Sequence, residues 1–545
     1  MVQNADKAPV GYPATPPGVI IFGSGACARK IVCNLKDRGI DVCLAMSGEA
    51  PPGTPVDGGI NLLTNVELDD CRGFTGNFRL RLIHRQGSVQ LTAPAIVVAE
   101  DPCGSPNHSA YGLTPGPQAV DISTLEAALQ GSGEGAPFRR GSTVALLCGW
   151  RNDAQPSVTM RMIEAGLALR ERLGITVYFL SGNLKVAAPG AEEKVQSAKR
   201  SGVVFLKFTH DYPTIGAAAD GRFGVDYVDE LTRSPFRLEA DGIVVDETIG
   251  PAPGLAALAR KLGIDRDAGG FPQADNVRRT SNLTNRRGIF VAGGGRGVLA
   301  AEEQAADADQ ASLAVTAFLQ GTDRESLPPA TVQRGRCARC LTCRRLCPHL
   351  AVEIGARISI VDEACQRCGL CAAGCPAHAI DMDGVSIDAE ISRFSASATV
   401  TDDASARIPR IMVLGCTHSA GQALALISLM GQALPPGVRF VEVPCGGSIA
   451  SRHLLTAFEN GAEGVMLCIC HKDNCRSQTG NRILAKRAAS VQDLLNAAGV
   501  ESQRLRMAFV AANMGNEMAG LIDAFAGEID ALAGRRRPAD DPPAR

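Results

Sequence analysis

The stretch GVIIFGSGACARKIVCNLKDRGIDVCLAM, residues 18–46, decides the fold of the amino-terminal part of the chain. Its apolar run Gly18–Phe22 predicts a buried strand, and Gly23-Ser24-Gly25 predicts a tight turn that opens a helix. A second apolar run, Ile40–Met46, predicts the next strand. Such a unit is typical of a parallel α/β sheet, in which the glycine turn lets a phosphate approach the helix amino end. The turn alone is a weak indication, because a purely structural turn has the same sequence.

Two further segments extend the α/β pattern. Thr143–Cys148 and Ile175–Leu180 predict strands that bracket a helix, which indicates a second strand–helix–strand unit. Ile289–Ala292 predicts a strand that runs into another glycine-rich turn and a helix from Ala300. The candidate dinucleotide-binding residues are those of the two glycine-rich turns: Gly23, Gly25, Ala28, Gly293, Gly294, Gly295 and Gly297.

Changes in composition divide the chain into segments. Gly- and Pro-rich stretches such as 131–136 and 328–329 predict joints, and the Ser-, Ala- and Thr-rich stretch 395–405 predicts a linker. The predicted segments are a flexible lead-in (1–17), the first part of a Rossmann-like domain (18–135), an inserted α/β domain (140–240), the second part of the Rossmann-like domain (241–327), a small cysteine-rich module (330–395), a carboxy-terminal α/β domain (408–530) and a disordered tail (531–545).

Composition also excludes several classes of function. The 545 residues carry 55 Lys+Arg and 57 Asp+Glu, so no global charge attracts nucleic acid or anionic lipid, and one Trp offers little surface for base stacking. No signal peptide is visible, and the longest apolar tract, Ala420–Leu434, is too short for a direct membrane span. Thirteen of the 19 cysteines lie between Cys337 and Cys475, which indicates metal binding in a reducing cytoplasm rather than a disulfide framework.

Eight of these cysteines form two runs of the pattern C-x2-C-x2-C-x3-C-P. Three thiolates in a tight loop hold one face of a [4Fe–4S] cubane, and the Cys-Pro of each run supplies the fourth ligand of the other cubane. Zinc needs only paired C-x2-C units and leaves the third cysteine and the Cys-Pro unexplained. The spacing therefore predicts a first set, Cys337, Cys340, Cys343 and Cys375, and a second set, Cys365, Cys368, Cys371 and Cys347.

The other cysteines of this region follow three predicted strands of the carboxy-terminal α/β domain. Strand ends of a parallel sheet converge at one edge, so four thiolates are expected to meet there: Cys416, Cys445, Cys470 and Cys475. Cys468 lies within a strand and is expected to be a core residue. His418 and His471 fill no gap in the ligand set. Zinc remains an alternative for these four thiolates, since it takes the same ligands.

Several motifs carry a resemblance to known families. GSGACA (23–28), NVELDDCRGFTGNFRLRL (65–82), VALLCGWRND (144–153) and RRGIFVAGGGRG (286–297) resemble the flavoprotein of heterodisulfide reductase. The whole arrangement is closer to the heterodisulfide reductase-like flavoprotein of the quinone-interacting membrane-bound oxidoreductase complex. The two cysteine runs resemble a bacterial-type two-cluster ferredoxin. LGC (414–416), VEVPCGG (441–447), AFENGAEGV (457–465) and CHKDNC (470–475) resemble the delta subunit of methyl-viologen-reducing hydrogenase.

These resemblances imply an α/β fold: a two-domain Rossmann-like flavoprotein like thioredoxin reductase, then a small α+β two-cluster ferredoxin module and a carboxy-terminal α/β domain. They imply FAD between the two glycine-rich turns, two [4Fe–4S] clusters and a [2Fe–2S] cluster on the four carboxy-terminal cysteines. The expected function is an oxidoreductase: an electron-transfer subunit of a larger complex, without a catalytic side chain of its own. Its expected partners are other subunits, among them a membrane quinone-interacting one. The expected location is the cytoplasm, at the inner face of the membrane through those partners.

The chain departs from the heterodisulfide reductase flavoprotein in three ways. It lacks the cysteine-rich insertion between the first α/β unit and the NVELDD motif. Met46 stands where a ribose-binding acid is usual, and the Ala-Thr-Gly that follows a strand is replaced by Ala99-Glu100-Asp101 and by Asp246-Glu247-Thr248. A non-flavin scaffold that positions the clusters is therefore one alternative. A free-standing FAD-dependent disulfide reductase is another, disfavoured because the flavin-like region has no C-x2-C or C-x4-C pair. Residues 149–153 contain no G-x-G-x-x-G, so direct oxidation of NADH or NADPH is not expected.

Overall fold

The computed structural model describes residues 16–52, 54, 60–85, 87–129, 137–150, 153–182, 184, 188–209, 211–217, 221–275, 281–321, 329–382, 386–396, 408–472 and 474–534. Most of the predicted lead-in, the joint at 131–136 and most of the predicted tail lie outside these described residues. So does the predicted linker, apart from residues 395 and 396.

The part of the chain before the cysteine-rich module alternates short apolar strands with helices. Its elements are β1 (Val19–Phe22), α1 (Ala26–Lys36), β2 (Val42–Ala45), β3 (Asn61–Leu63), β4 (Glu67–Phe74), β5 (Asn77–His84), β6 (Gly87–Ala93), β7 (Ala95–Val98), β8 (Cys103–Pro106), β9 (Ala119–Asp121), α2 (Ile122–Leu129), β10 (Thr143–Cys148), α3 (Pro156–Leu173), β11 (Thr176–Ser181), α4 (Ala191–Arg200), β12 (Val204–Lys207), β13 (Thr214–Ala217), β14 (Phe223–Val228), β15 (Pro235–Ala240), β16 (Gly242–Val245), β17 (Glu247–Gly250), α5 (Leu255–Leu262), β18 (Ile289–Val291) and α6 (Ala301–Gln320).

The first sheet is parallel, with strand order β18-β7-β1-β2-β3. Its inner strands are continuous apolar runs that are buried on both faces, as expected for a parallel sheet covered by other elements. Helices α1 and α6 pack together on one face, where Lys30 Nζ lies 2.7 Å from Asp309 Oδ2. The antiparallel sheet β4-β5-β6 and helix α5 cover the other face.

The second sheet has the order β12-β11-β10-β16-β9 and is also parallel. An antiparallel meander, β13-β14-β15, packs against it, and the paired strands β8 and β17 connect it to the first sheet. Because β7 leads into β8 and β16 leads into β17, the second unit is inserted into the first, as the sequence predicted. The amino-terminal part of the chain is therefore a two-domain, Rossmann-like α/β fold.

The cysteine-rich module is built from very short elements. They are β19 (Thr331–Val332), α7 (Thr342–Leu346), β20 (Val352–Ile354), β21 (Ile358–Ile360), α8 (Leu370–Ala373) and β22 (Ile380–Asp381), followed by α9 (Ile387–Ala396). Two antiparallel ribbons, β19-β22 and β20-β21, and the two one-turn helices enclose a small core that contains many of the cysteines. Helix α9 packs instead with the next domain, because Ile387, Ile391 and Phe394 join that domain's core.

The carboxy-terminal domain is a third parallel α/β unit. Its elements are β23 (Ile411–Cys416), α10 (Gln422–Leu429), β24 (Val438–Val443), α11 (Ser451–Glu459), β25 (Gly464–Ile469), α12 (Gly480–Ala497), β26 (Leu505–Phe509) and α13 (Gly515–Gly534). The strand order is β24-β23-β25-β26, with apolar cores on both faces of the sheet. No helix in the described part of the chain has the length and apolar content that a bilayer crossing requires.

Candidate functional site

The first cysteine set lines one cavity of the cysteine-rich module. Cys337, Cys340, Cys343 and Cys375 surround a space of about 360 Å³. The loop winds tightly because Arg339 and Leu341 adopt left-handed backbone conformations, with φ of 52° and 60°. Three cysteines therefore come from the first run and one, Cys375, comes from the Cys-Pro of the second run.

The second set lines a separate cavity of about 330 Å³, formed around Cys347, Cys365, Cys368 and Cys371. Here the winding of the loop depends on Arg367 and Gly369, whose φ values are 53° and 74°. The structure thus brings the eight cysteines together in the two crossed groups of four that the spacing predicts. This crossed arrangement is the donor geometry that two cubanes take in bacterial-type ferredoxins.

The surroundings of the second set fit a large anionic cluster better than they fit free thiols. Burial raises the pKa of Cys368 to about 12 and lowers the pKa of His349 to about 4, so the chain alone keeps both groups neutral. His349 Nε2 and Arg367 Nε are buried without a partner in the described structure, and both residues line this cavity. Inorganic sulfide would accept hydrogen bonds from such nitrogens, which is a common way of tuning these clusters.

Single metal ions fit the cysteines less well. Among the described residues, no group of three or more Cys, His, Asp or Glu side chains is arranged to hold one metal ion. Four thiolates around a cubane stand farther apart than four thiolates bonded to one zinc ion.

The four predicted carboxy-terminal cysteines also meet at one cavity. Cys416, Cys445, Cys470 and Cys475 line a space of about 640 Å³ at the carboxyl edge of the third sheet. Hydrogen bonds between neighbouring thiols lower the pKa of Cys416 and Cys475 and raise the pKa of Cys445 and Cys470. The four thiols therefore lie close enough to interact directly with one another.

Four other residues of interest lie near this edge of the sheet: Ser419, Cys468, His418 and His471. Ser419 Oγ is 2.7 Å from Cys416 Sγ, so the serine supports a ligand candidate. Cys468 is fully buried in the core on the other side of the sheet. His418 contacts Arg476 Nη1 at 3.1 Å on the rim of the cavity, and His471 stacks on Phe509.

The second set and the carboxy-terminal set are packed against each other. Cys368, Leu370, Cys445 and Cys475 form one buried cluster. Glycines make this approach close: a Cβ on Gly369 would meet Ser448, and one on Gly447 would meet Leu370. The spacing of the cysteines could not show this contact, because it depends on how two domains pack.

Replacing Gly480 by alanine is expected to disrupt the carboxy-terminal centre without removing a thiol. A Cβ on Gly480 would overlap Cys445 Sγ and lie 3.5 Å from Cys475 Sγ. We expect more than half of the iron of this centre to be lost, measured as iron per chain after anaerobic purification. Gly520→Ala is the matched control, because its added Cβ meets open space on a helix. Full iron content in Gly480→Ala would contradict the assignment.

The first glycine-rich turn has the backbone of a phosphate site. Gly23, with φ of 141°, passes so close to Ala99 that no side chain would fit, and Gly25 caps α1 without a side-chain hydrogen bond. One side chain competes for this position: a Cβ on Gly25 would overlap the carboxylate of Asp101. Burial raises the pKa of Asp101, whereas Arg29 and the Ser24 hydroxyl favour its charged form.

The second turn lies beside the first. A Cβ on Gly293 would meet Cys27 of α1, and one on Gly294 would meet Pro102. The Gly293 N–H donates to Asp307 Oδ2 at 2.7 Å, while Gly297 borders open space. The structure thus brings the two turns together, as predicted, although Ala28 belongs to the core and Gly293–Gly295 pack against the chain itself.

The inserted unit repeats the arrangement seen at Asp101. The Gly149 N–H, at the end of β10, donates to Asp246 Oδ2 at 2.7 Å. Asp246 also accepts hydrogen bonds from Asn107 and from the Tyr111 hydroxyl. Both places where Ala-Thr-Gly is replaced therefore set an acid beside a glycine that follows a buried strand. The replacement of Ala-Thr-Gly can be read from the sequence, but the positions of the Asp101 and Asp246 carboxylates cannot.

Comparison with known proteins identifies the family of the carboxy-terminal part. Residues 411–533 match the family model described as methyl-viologen-reducing hydrogenase, delta subunit. The iron-sulfur subunit of the F420-non-reducing hydrogenase vhu of Methanopyrus kandleri is 32% identical over 101 residues, which are 18% of this chain and 76% of the relative.

Other matches cover a larger share of the chain. The A-type subunit of the ferredoxin:CoB-CoM heterodisulfide reductase of Methanosarcina mazei is 23% identical over 362 residues, which are 66% of this chain and 44% of the relative. A crystal structure of T. acidophilum thioredoxin reductase aligns with 56% of this chain and 99% of its own, at 16% identity and a TM-score of 0.40.

Proposed function

We propose that this chain is an electron-transfer subunit of a multi-subunit oxidoreductase, because it belongs, through residues 411–533, to the family of the methyl-viologen-reducing hydrogenase delta subunit. Over 66% of its length it is also related to the heterodisulfide reductase flavoprotein. The chain spans less than half of the length of the heterodisulfide reductase relatives it matches. The names of those relatives therefore do not identify the electron donor and acceptor of this chain.

The observation that carries this proposal is the series formed by three cysteine sets. The first set lies next to the second within one small module, and the second shares a buried cluster with the carboxy-terminal set. Two [4Fe–4S] clusters and one [2Fe–2S] cluster, when bound, accept and donate single electrons. The chain itself supplies twelve thiolates. It also excludes water between the second set and the carboxy-terminal set, and fixes the distance between these two sets.

The proposed relay follows the order in which the fold places the three cysteine sets. In the structure the second set lies between the first set and the carboxy-terminal set. Asp275, from the amino-terminal domain, also lines the carboxy-terminal cavity. The carboxy-terminal set therefore has one neighbour in the ferredoxin-like module and another in the Rossmann-like domain.

FAD is proposed as the cofactor of the two glycine-rich turns. The Gly23 turn and the uncapped start of α1 would hold its pyrophosphate, provided that the Asp101 carboxylate moves away from Gly25. When bound, a flavin exchanges electron pairs with a substrate and single electrons with iron–sulfur clusters. The non-flavin scaffold remains the second candidate, and the position of Asp101 is the observation that favours it.

The partners are proposed to be other subunits of the same complex. Relatives of both parts of the chain are themselves named as subunits of hydrogenases or heterodisulfide reductases. A membrane quinone-interacting partner and a location in the cytoplasm, at the inner face of the membrane, stay predictions from the sequence.

The proposed function predicts about ten irons per chain in anaerobically purified protein, eight in two cubanes and two in a binuclear centre. Iron and acid-labile sulfide analysis, with low-temperature EPR after dithionite reduction, would measure them. Two interacting cubane signals and one binuclear signal are expected. Stoichiometric zinc with little iron, and no signal after reduction, would contradict the proposal.

A further inference from the structure

The first cysteine set differs from the other two in its access to solvent. Cys340 is exposed, whereas Cys365, Cys368 and Cys371 of the second set are all buried. Its thiol lies 3.4 Å from Thr342 Oγ1. The relay therefore reaches the surface at the first set.

Exposed arginines surround this point of the surface. We call them the arginine rim: Arg334, Arg336, Arg339, Arg345 and Arg357. Arg339 donates to the carbonyls of Gly355 and Ala356 at 3.1 Å, which brings the turn that carries Arg357 next to the Cys340 loop. Arg345 donates to Thr342 Oγ1 at 3.3 Å, and Arg336 donates to the His378 carbonyl.

The charge of the rim is not compensated locally. Residues 330–360 contain six arginines and a single acidic residue, Glu353, although the whole chain has a net charge of -2. Within the described part of the chain, no arginine of the rim forms an ion pair. Their guanidinium groups donate to neutral oxygens or face solvent, so their positive charges remain available to a partner.

We propose that the arginine rim docks an acidic one-electron carrier protein, which exchanges electrons with the chain at the first cysteine set. This inference rests on the proposed function, since it names the partner of that relay. In each encounter the reduced carrier loses one electron and the chain gains one, or the reverse, and no covalent bond forms or breaks. A carrier fits this face better than a membrane or a nucleic acid, because the positive charges lie on the loop and the turn beside the exposed end of the relay.

The test uses the full chain with its iron loaded and compares two double variants. Arg334→Glu/Arg357→Glu changes rim residues whose side chains make no hydrogen bond to another described residue. Arg85→Glu/Arg200→Glu makes the same charge change on the exposed surface of the amino-terminal part. Stopped-flow mixing with a reduced plant-type [2Fe–2S] ferredoxin, an acidic carrier, gives the second-order rate constant at several salt concentrations. Basic cytochrome c serves as the opposite-charge acceptor.

For the rim variant, the rate constant with ferredoxin is expected to fall at least tenfold at low salt and to lose most of its salt dependence. The rate constant with cytochrome c should not fall, and the control variant should behave as the unaltered chain. An iron-loaded rim variant that reacts with ferredoxin as the unaltered chain does would overturn the docking site alone. The docking site would also be overturned if the unaltered rim bound phosphatidylglycerol vesicles while the rim variant kept the ferredoxin rate constant of the unaltered chain. A chain that binds no iron would overturn the proposed function, and the docking site with it.

Discussion

Cys470→Ala is expected to remove the carboxy-terminal binuclear signal while both cubane signals remain. Cys470 lines the cavity with Cys416, Cys445 and Cys475, and it hydrogen-bonds with two of them. Removing one of four thiolates leaves an incomplete ligand set, which holds a binuclear cluster poorly. About two of ten irons per chain should be lost, measured by iron analysis and by EPR after dithionite reduction.

Cys468→Ala is the matched control, because Cys468 lies only two positions earlier but is buried in the core. Its replacement removes one sulfur from a packed interior and should cost about 1 kcal/mol of stability, without loss of iron. Equal iron loss in both variants would show that the substitutions disturb the fold of the domain rather than the ligand set of the centre. Full retention of the binuclear signal in Cys470→Ala would remove this residue from the ligand set.

Cys470→Ala should also interrupt electron transfer between the amino-terminal domain and the ferredoxin-like module. Asp275 of the amino-terminal domain and Cys445 line the same cavity, and Cys445 shares a buried cluster with Cys368. Without the centre, no redox group bridges these two regions. Reduction of the cubanes by dithionite should be unaffected, since the first set opens directly to solvent at Cys340.

The cysteine groups were predictable because their spacing is a property of the local chain. Three thiols at intervals of three residues share one tight loop, and a Cys-Pro reaches across to the neighbouring loop. The carboxy-terminal group followed from a second general rule, that the ends of parallel strands meet at one edge. Both rules relate sequence distance directly to position, so the structure gathers the same residues.

Contacts between domains followed no such rule. The burial of Cys368 against Cys445 depends on the shapes of two surfaces and on small residues such as Gly369 and Gly447. The direction of Asp101 depends likewise on the path of the chain after β7. Its position in the sequence marked a departure from Ala-Thr-Gly, but only the structure shows that its carboxylate reaches Gly25.

Removing the charge of Asp101 is therefore expected to tighten the binding of FAD at least tenfold. The Asp101 carboxylate lies beside Gly25 at the start of α1, where a pyrophosphate would bind, and two anions at one helix end repel each other. Two unit charges about 4 Å apart repel by about 4 kcal/mol at a protein surface, and a tenfold change in affinity needs only about 1.4 kcal/mol. Titration of FAD fluorescence gives the Kd for Asp101→Ala and Asp101→Asn.

The two variants separate charge from bulk, because asparagine keeps the shape of aspartate and alanine does not. Asp101→Asn should already show most of the gain if repulsion is the main cause, whereas a gain confined to Asp101→Ala would assign the effect to space. Asp309→Ala is the control, since Asp309 pairs with Lys30 of α1 but on the exposed flank of that helix. Unchanged Kd values in both Asp101 variants would mean that this carboxylate does not oppose the flavin. A large gain would instead show that a single acid, placed where relatives have glycine, decides how firmly this fold holds its cofactor.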